Sequence, residues 1–405
     1  MISIKEAINI IRANLPEIEF ETVAVTQSLG RIIAEDIPAP EPSPRYTNSA
    51  MDGFAVCWQD VISVKVGGNV QLPIAGESCA GIPFSEKVPG GTAVRINTGA
   101  LMPEGTDSVV PIEEAEENDD MIRVLNVSKK NQHVRFQGEE FQTGTVVLEK
   151  ENRITPSVIG LLTALGIENV PVFKRPKVAV IVTGTELVAN STEIAPWQIR
   201  DSNGAMLSSA VKFSGGDVIA IEQCSDDLSS IQEKIRNRAK DAQILVVSGG
   251  VSVGPHDLVK EAARLEQFEP LFWRVNQKPG KPLFLAHKNG VLFFGLPGNP
   301  VSALNCFAYY IHPVLQRLQG SEFHWQKTSG ILIHEAVNKG RRTLFLRVQI
   351  TERGEEQPRI IPLSAQGSHM LTSLVQADGF ILFRPQETKS AGDSVQVFLY
   401  PWRRK

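Results

Sequence analysis

Cysteine is scarce and scattered: Cys57, Cys79, Cys224 and Cys306 are the only four in 405 residues, and no two form a Cys-x-x-Cys pair. That spacing argues against a disulfide framework and against a thiolate-held zinc or iron–sulfur site, and it suits free thiols in a reducing compartment. Any metal is therefore expected on oxygen ligands. Also missing is a run of about 18 nearly uncharged apolar residues, so no membrane-spanning helix is expected. Near the start, Lys5, Glu6 and Arg12 interrupt any apolar segment of the kind a signal peptide needs. The cytoplasm is the expected location, with no membrane partner. No excess of one charge appears either: 41 Lys and Arg against 45 Asp and Glu leave a net charge of -4. Nucleic acid is not expected as a partner, and an anionic ligand would need local basic groups or backbone amides.

What is present is an ordinary globular composition, 42% hydrophobic and 21% charged. The length predicts two to four domains of about 100–150 residues each. Ser3 and Glu6 have capping-box spacing, and Ile4, Ala7, Ile8, Ile11 and Leu15 make one apolar helical face. Pro38, Pro40, Pro42 and Pro44 stiffen the connector that follows. From about 46 to 136 the texture is β, with short apolar runs at Phe54 to Cys57, Val94 to Ile96, Ser108 to Val110 and Ile122 to Leu125. The acidic run from Glu113 to Asp120 reads as a solvated hairpin tip. Residues 137 to 175 return to helix, so the β-rich block looks inserted into a helical and extended unit made of 1–45 and 137–175. From 176 to 325, apolar strands alternate with amphipathic helices, which predicts a mainly parallel sheet covered on both faces. The last block, 326–405, is strand-like and punctuated by glycine, as a small β-barrel or sandwich would be. The predicted fold class is α/β and β multidomain: a central three-layer α/β domain, an inserted β-rich domain and a C-terminal β-barrel-like domain.

Glycines mark where chemistry belongs. Val178 to Val182 runs into Thr183-Gly184-Thr185-Glu186, Ile244 to Val247 into Ser248 to Gly254, and Val291 to Phe294 into Gly295 to Pro300. Ligands of open α/β sheets bind outside the carboxyl ends of the strands, so three glycine-rich loops at three strand ends predict one shared crevice. Any one loop alone reads as an ordinary βα turn. Backbone N–H groups of Gly249, Gly250 and Gly298, with Ser252 beside them, suit an anion. Asn299 and Pro300 read as N-cap and first residue of a helix whose N–H groups face that crevice. Glu186, Asp226 and Asp257 flank the loops. Their spacing is compatible with a hard cation such as Mg²⁺ held with substrate phosphates, and Asp226, Asp227 and Asp257 are equally compatible with helix capping. Lys278-Pro279-Gly280-Lys281-Pro282 stands out as the compact cationic feature. Its apolar flanks, Leu271 to Trp273 and Leu283 to Leu285, favour an anion-binding loop over a solvated one.

Asn48-Ser49-Ala50-Met51-Asp52-Gly53-Phe54-Ala55-Val56 resembles the signature of the molybdopterin molybdenumtransferases, seen also in the E domain of gephyrin. Ala93 to Ala100, Thr183 to Leu187, Ser248 to Gly254, Lys278 to Pro282 and Leu296 to Ser302 resemble the other signatures of that family, in the same order. The similarity extends over nearly the whole chain, to Gln366-Gly367-Ser368. The resemblance implies an enzyme that takes molybdate and adenylylated molybdopterin, cleaves the phosphoanhydride, inserts molybdenum at the dithiolene and releases AMP. It implies Mg²⁺ dependence, transfer partners in cofactor assembly, and a homodimer in which the β-rich domain of one subunit faces the α/β crevice of the other. Carried over, Asp52, Glu186, Asp226 and Asp257 form an acidic set around metal and phosphoanhydride, with Glu186, Asp226 and Asp257 as metal ligands. Lys278, Lys281 and Ser302, with Arg347 and Ser368, hold the oxyanion, and Thr98 faces the ligand.

The chain departs from the family at a few positions. Gly138-Glu139-Glu140 stands where the family often has Gly-Glu-Asp, which keeps the charge but moves it a methylene outward. Thr185 replaces a usual acidic residue beside Glu186, and Phe54 a common tyrosine. Two rival readings are adenylyl transfer from ATP to molybdopterin, which needs little beyond residues 177–320, and a non-catalytic carrier or scaffold.

Overall fold

A computed structural model describes residues 1–188, 193–251, 258–351 and 357–403. The chain forms two compact units, one of Met1–Ala24, Gly30–Ala34 and Val170–Lys405, the other of Val25–Leu29 and Glu35–Asn169.

The first unit is built on the apolar runs of the α/β block. They form β1 (Lys177–Thr183), β2 (Asp217–Cys224), β3 (Ile244–Ser248), β4 (Glu269–Trp273), β5 (Phe284–Lys288) and β6 (Val291–Leu296). The sheet order is β2-β1-β3-β6-β5-β4. The β1–β2, β1–β3 and β3–β6 pairs are parallel, while β5 is antiparallel to both β6 and β4. Alternation along β1 splits the core in two. Val178, Val180 and Val182 face one layer, packed with Leu207, Val211 and Phe307, and Ala179 and Ile181 face the other, with Ile231 and Ile235. The layer beside Val178 also takes in Ala7, Ile8 and Ile11, because the helix Ile4–Ala13, closed by the Ser3–Glu6 capping box, presents that face to it. This helix therefore shares a core with the α/β sheet and lies in the unit that excludes 137–169. Its apolar stripe gave no sign of which partner it would choose.

A second departure is the antiparallel edge. Leu271 to Trp273 and Leu283 to Leu285 read as flanks of the lysine loop, and they are β4 and β5, with that loop at the end of their hairpin. Short apolar runs of this composition do not reveal strand direction.

The C-terminal block is a closed barrel. Strands β7 (Lys327–Leu332), β8 (Thr343–Thr351), β9 (Arg359–Pro362), β10 (Gly379–Phe383) and β11 (Ser394–Leu399) pair in the ring β8-β9-β7-β11-β10-β8. Leu332, Val348, Ile360, Phe383 and Val397 fill its interior. Gln277 and Lys278 add a short parallel rung to β8, opposite Thr343 and Leu344. The lysine loop is thereby stitched to the barrel.

The helical stretch from Pro300 to Leu318 contains a wide turn at Phe307–Ile311, closed by the His312 N–H on the Phe307 carbonyl. Pro313 explains it. Proline has no N–H for the carbonyl four residues back, and its ring crowds that carbonyl. The stranded Tyr309 carbonyl instead accepts from Trp325 Nε1 at 2.9 Å. The Tyr309 ring packs in an aromatic cluster with Trp325, Phe345 and Phe398, at centroid distances of 4.9, 5.3 and 5.5 Å.

The second unit holds a six-stranded sheet ordered Ser108–Pro111, Gly53–Val56, Ala93–Ile96, Val70–Ser78, Met121–Val124, Ala115–Asn118. The acidic run supplies the edge strand Ala115–Asn118 and the turn back to Met121. A helix, Pro156–Ala164, starts at Thr155, whose hydroxyl accepts from the Val158 N–H.

Candidate functional site

The three loops at the carboxyl ends of β1, β3 and β6 meet. Gly249, at φ +99°, lies so close to the end of β1 that a Cβ there would stand 2.4 Å from the Thr183 carbonyl oxygen. No other residue fits. Its N–H donates to the Leu296 carbonyl at 3.1 Å, and Gly298 lies against it, a Cβ on Gly298 falling 3.7 Å from the Gly249 Cα. Asn203, in the first turn of the helix Ser202–Phe213, holds the second and third loops together. Its Nδ2 donates to Ser248 Oγ at 2.9 Å and to the Gly298 carbonyl at 2.7 Å. Sequence reasoning missed Asn203, since Asp201-Ser202-Asn203 reads simply as a helix start, and Asp201 does cap that helix.

The acidic candidates divide. Glu186 and Asp226 are both exposed, on neighbouring loops joined where the Asp226 N–H donates to Thr185 Oγ1 at 3.4 Å. Thr185, the departure from the family pattern, thus ties the two loops. Asp227 is the helix cap, accepting from the Ser230 N–H at 2.9 Å. Asp257 and Ser252 lie outside the described residues, and among the described residues no three acidic, His or Cys side chains are grouped to hold a metal. In the second unit, Asp52 and Thr98 are adjacent. The Thr98 N–H donates to Asp52 Oδ1 at 2.7 Å and holds that exposed carboxyl below its ordinary range. Glu140 accepts from the Ser43 hydroxyl at 2.7 Å, a contact within the fold.

The lysine loop opens onto a cavity of about 720 Å³ that Lys278, Lys281, Asn299, Ser302, Arg342 and Ser368 line. Asn299 caps its helix without a side-chain bond, so the capping role does not occupy its amide. The Val301 N–H, expected to be open to a ligand, donates to the Ser368 carbonyl at 3.3 Å and draws the barrel loop onto the helix start. Pro297 lines this cavity while Gly298 touches Gly249, so the β6 loop is a wall common to the cavity and the crevice.

Arg342 went unremarked in the sequence, where Lys339-Gly340-Arg341-Arg342 is a second cationic cluster. Its Nη1 donates to the Gln277 carbonyl at 3.3 Å. Arg347, by contrast, is fully buried and is not among the lining residues. Its Nη2 donates to the carbonyls of Ala365 at 2.9 Å and Gly367 at 3.2 Å, and burial lowers its pKa. In this structure it shapes the loop carrying Ser368 and does not itself line the cavity.

A glycine-loop crevice on a mainly parallel sheet, joined to a cationic, hydroxyl-lined cavity under a barrel, has the charge and shape of a site for anionic small molecules. Family models agree across the chain: the MoeA N-terminal region (domain I and II) matches residues 2–166, a probable molybdopterin binding domain 179–317, and the MoeA C-terminal region (domain IV) 333–400. A molybdopterin molybdenumtransferase of Haemophilus influenzae is 35% identical over 385 residues, 93% of each chain. One from Staphylococcus epidermidis is 31% identical over 403 residues, covering 98% of this chain and 95% of its own. The crystal structure of a molybdopterin biosynthesis moea protein from Pyrococcus horikosii superposes with a TM-score of 0.86 at 31% identity, over 99% of both chains. The chain belongs to the molybdopterin molybdenumtransferase family, enzymes of molybdenum cofactor biosynthesis. Among the described residues no helix is long and apolar enough to cross a membrane.

Proposed function

We propose that this enzyme transfers molybdenum from molybdate to adenylylated molybdopterin, with cleavage of the phosphoanhydride and release of AMP. The observation that carries the reading is the cavity where Lys278, Lys281 and Arg342 stand with the Ser302 and Ser368 residues, next to the glycine loops. Point charges and hydroxyls suit a tetrahedral oxyanion. The close-packed glycine loops at Gly249, Gly250 and Gly298, with the helix start at Pro300, let the backbone approach the phosphates of the adenylylated substrate, and Asn299 stands at the boundary.

Glu186 and Asp226 offer hard oxygen donors, a chemistry that fits Mg²⁺, with Asp257 as the third carboxylate. Bound there, the cation would neutralise charge developing on the leaving phosphate. Asp52, kept ionised by the Thr98 N–H, is the carboxylate that the β-rich domain brings to the reaction, across the homodimer. Arg347 acts through the loop it holds. The same reading puts the enzyme in the cytoplasm, passing its product to later proteins of cofactor assembly.

Purified protein given adenylylated molybdopterin, molybdate and Mg²⁺ should release AMP. Release no faster than a no-enzyme control overturns the proposal. Pyrophosphate release from ATP would point instead to adenylyl transfer, and tight cofactor binding with no AMP would point to a carrier. Family matches on both sides of residues 179–317 already weigh against an enzyme that needs that domain alone.

A further inference from the structure

The lysine loop takes its shape from side chains beneath it that do not line the cavity. Gln277 is 1% exposed, and its Nε2 donates to the Gly280 carbonyl at 2.9 Å, with Cys306 Sγ at 3.5 Å. Its Oε1 accepts from the hydroxyl of Tyr310, a residue with no exposed surface. The amide can face only one way, since the Gly280 carbonyl needs a donor and the tyrosine hydroxyl then supplies the other end. Gly280, at φ +85°, sits directly on this layer: a Cβ there would stand 2.6 Å from Cys306 Sγ and 2.8 Å from Gln277 Nε2. The backbone of Gln277 adds a third link, because its carbonyl accepts from Arg342 Nη1 at 3.3 Å. One buried residue thus touches the middle of the two-lysine loop and the third cation. Tyr310 reaches it from the wide turn that Pro313 forces in the helix.

We propose that Gln277 and Tyr310 are positioning residues for the oxyanion. The chain of hydrogen bonds from hydroxyl to amide to the Gly280 carbonyl fixes where Lys278, Lys281 and Arg342 stand, and so sets the affinity for molybdate. Neither side chain meets the substrate. This rests on the reading above that the cavity takes the oxyanion.

The test is steady-state AMP release by the full chain, with molybdate varied at saturating adenylylated molybdopterin and then the reverse. Tyr310→Phe strands Gln277 Oε1 in a dry site and should raise the KM for molybdate about tenfold, the weight of one buried hydrogen bond. The KM for the pterin substrate and kcat should stay within about twofold, since binding of one substrate alone is altered. Gln277→Met should act in the same way, and adding Tyr310→Phe to it should cause no further loss, because the two belong to one chain of bonds. Gln277→Asn keeps the amide but shortens its reach, and it replaces Tyr310→Phe if that variant does not fold; it must show the same molybdate-selective rise. Equal rises in both KM values, a fall in kcat alone, additive effects in the double variant, or no change in a folded single variant each overturn the inference. Absence of AMP release by the unaltered enzyme overturns the parent reading instead, so the two failures are separable.

Discussion

Replacing Asn203 tests whether the glycine loops are held from behind or hold themselves. Asn203 is 6% exposed and is the buried donor to both the Gly298 carbonyl and Ser248 Oγ. Asn203→Ala removes both bonds. Ser248 keeps a partner, since its hydroxyl donates to the Pro297 carbonyl at 3.2 Å, and the Gly298 carbonyl loses its Asn203 donor. Each of the two lost bonds is worth about 0.5–1.5 kcal/mol, and the lost Asn203 Oδ1, which has no partner among the described residues, returns little. A local cost of about 2 kcal/mol corresponds to roughly thirtyfold more frequent opening of the loops. Hydrogen exchange measured on peptides spanning 244–251 and 291–300 should accelerate by that factor, while peptides from the barrel should not. With the crevice less ordered, the KM for adenylylated molybdopterin should rise about tenfold. Asn203→Asp should be at least as damaging, because a carboxylate oxygen would then face the Gly298 carbonyl. Unchanged exchange in those peptides for Asn203→Ala would refute the reasoning, whatever happened to activity.

Further expectations are simpler to state. His312 is held neutral beside Ser214 Oγ, with its pKa lowered to about 4 by desolvation and then by the charge of His324. Protonation therefore favours the unfolded chain: the stability contribution is complete above the ordinary value of about 6.5, and it disappears as pH falls through about 4, with an upper bound of about 3 kcal/mol. Denaturant midpoints should fall between pH 7 and pH 4.5, and His312→Gln should flatten that slope; an equally steep slope in the variant would count against it. Gly249→Ala drives a methyl into the Thr183 carbonyl and should abolish AMP release while leaving molybdate binding to the lysine cavity, followed by calorimetry, within about threefold. Lys281→Ala should raise the KM for molybdate by about tenfold or more and show a weaker salt dependence of that KM, as expected when one cation is removed. A salt response identical to the unaltered enzyme would exclude Lys281 from the oxyanion site.

How much of this was legible beforehand follows from the range of the interactions. The strands at Val178, Ile244 and Val291 announced themselves because a strand buried on both faces needs an unbroken apolar run, and the glycines after them mark sites where backbones approach closely. The capping box at Ser3 and Glu6 is a local code and was readable for the same reason. Asn203 was not, because its partners Ser248 and Gly298 lie far along the chain and its type is common at any helix start. Arg347 and Arg342 show the same limit from the other side. They lie five positions apart around one strand, and only three-dimensional packing buries one while leaving the other at the cavity wall. The wide turn at Phe307 to Ile311 had a visible cause in Pro313, yet the tryptophan that makes it tolerable arrives from beyond the helix.

That turn makes neighbours of two different loyalties. Tyr309 belongs to the aromatic cluster on the barrel face that joins the α/β core, and Tyr310 to the underside of the lysine hairpin, with a single peptide bond between them. The barrel is consequently not a removable lid. A chimera that exchanged residues 326–405 for another barrel while keeping helix 300–318 would strip Tyr309 of Phe345 and Phe398 and take from Gln277 and Lys278 their rung on β8, so the smallest transplantable module spans the helix, the barrel and the hairpin together.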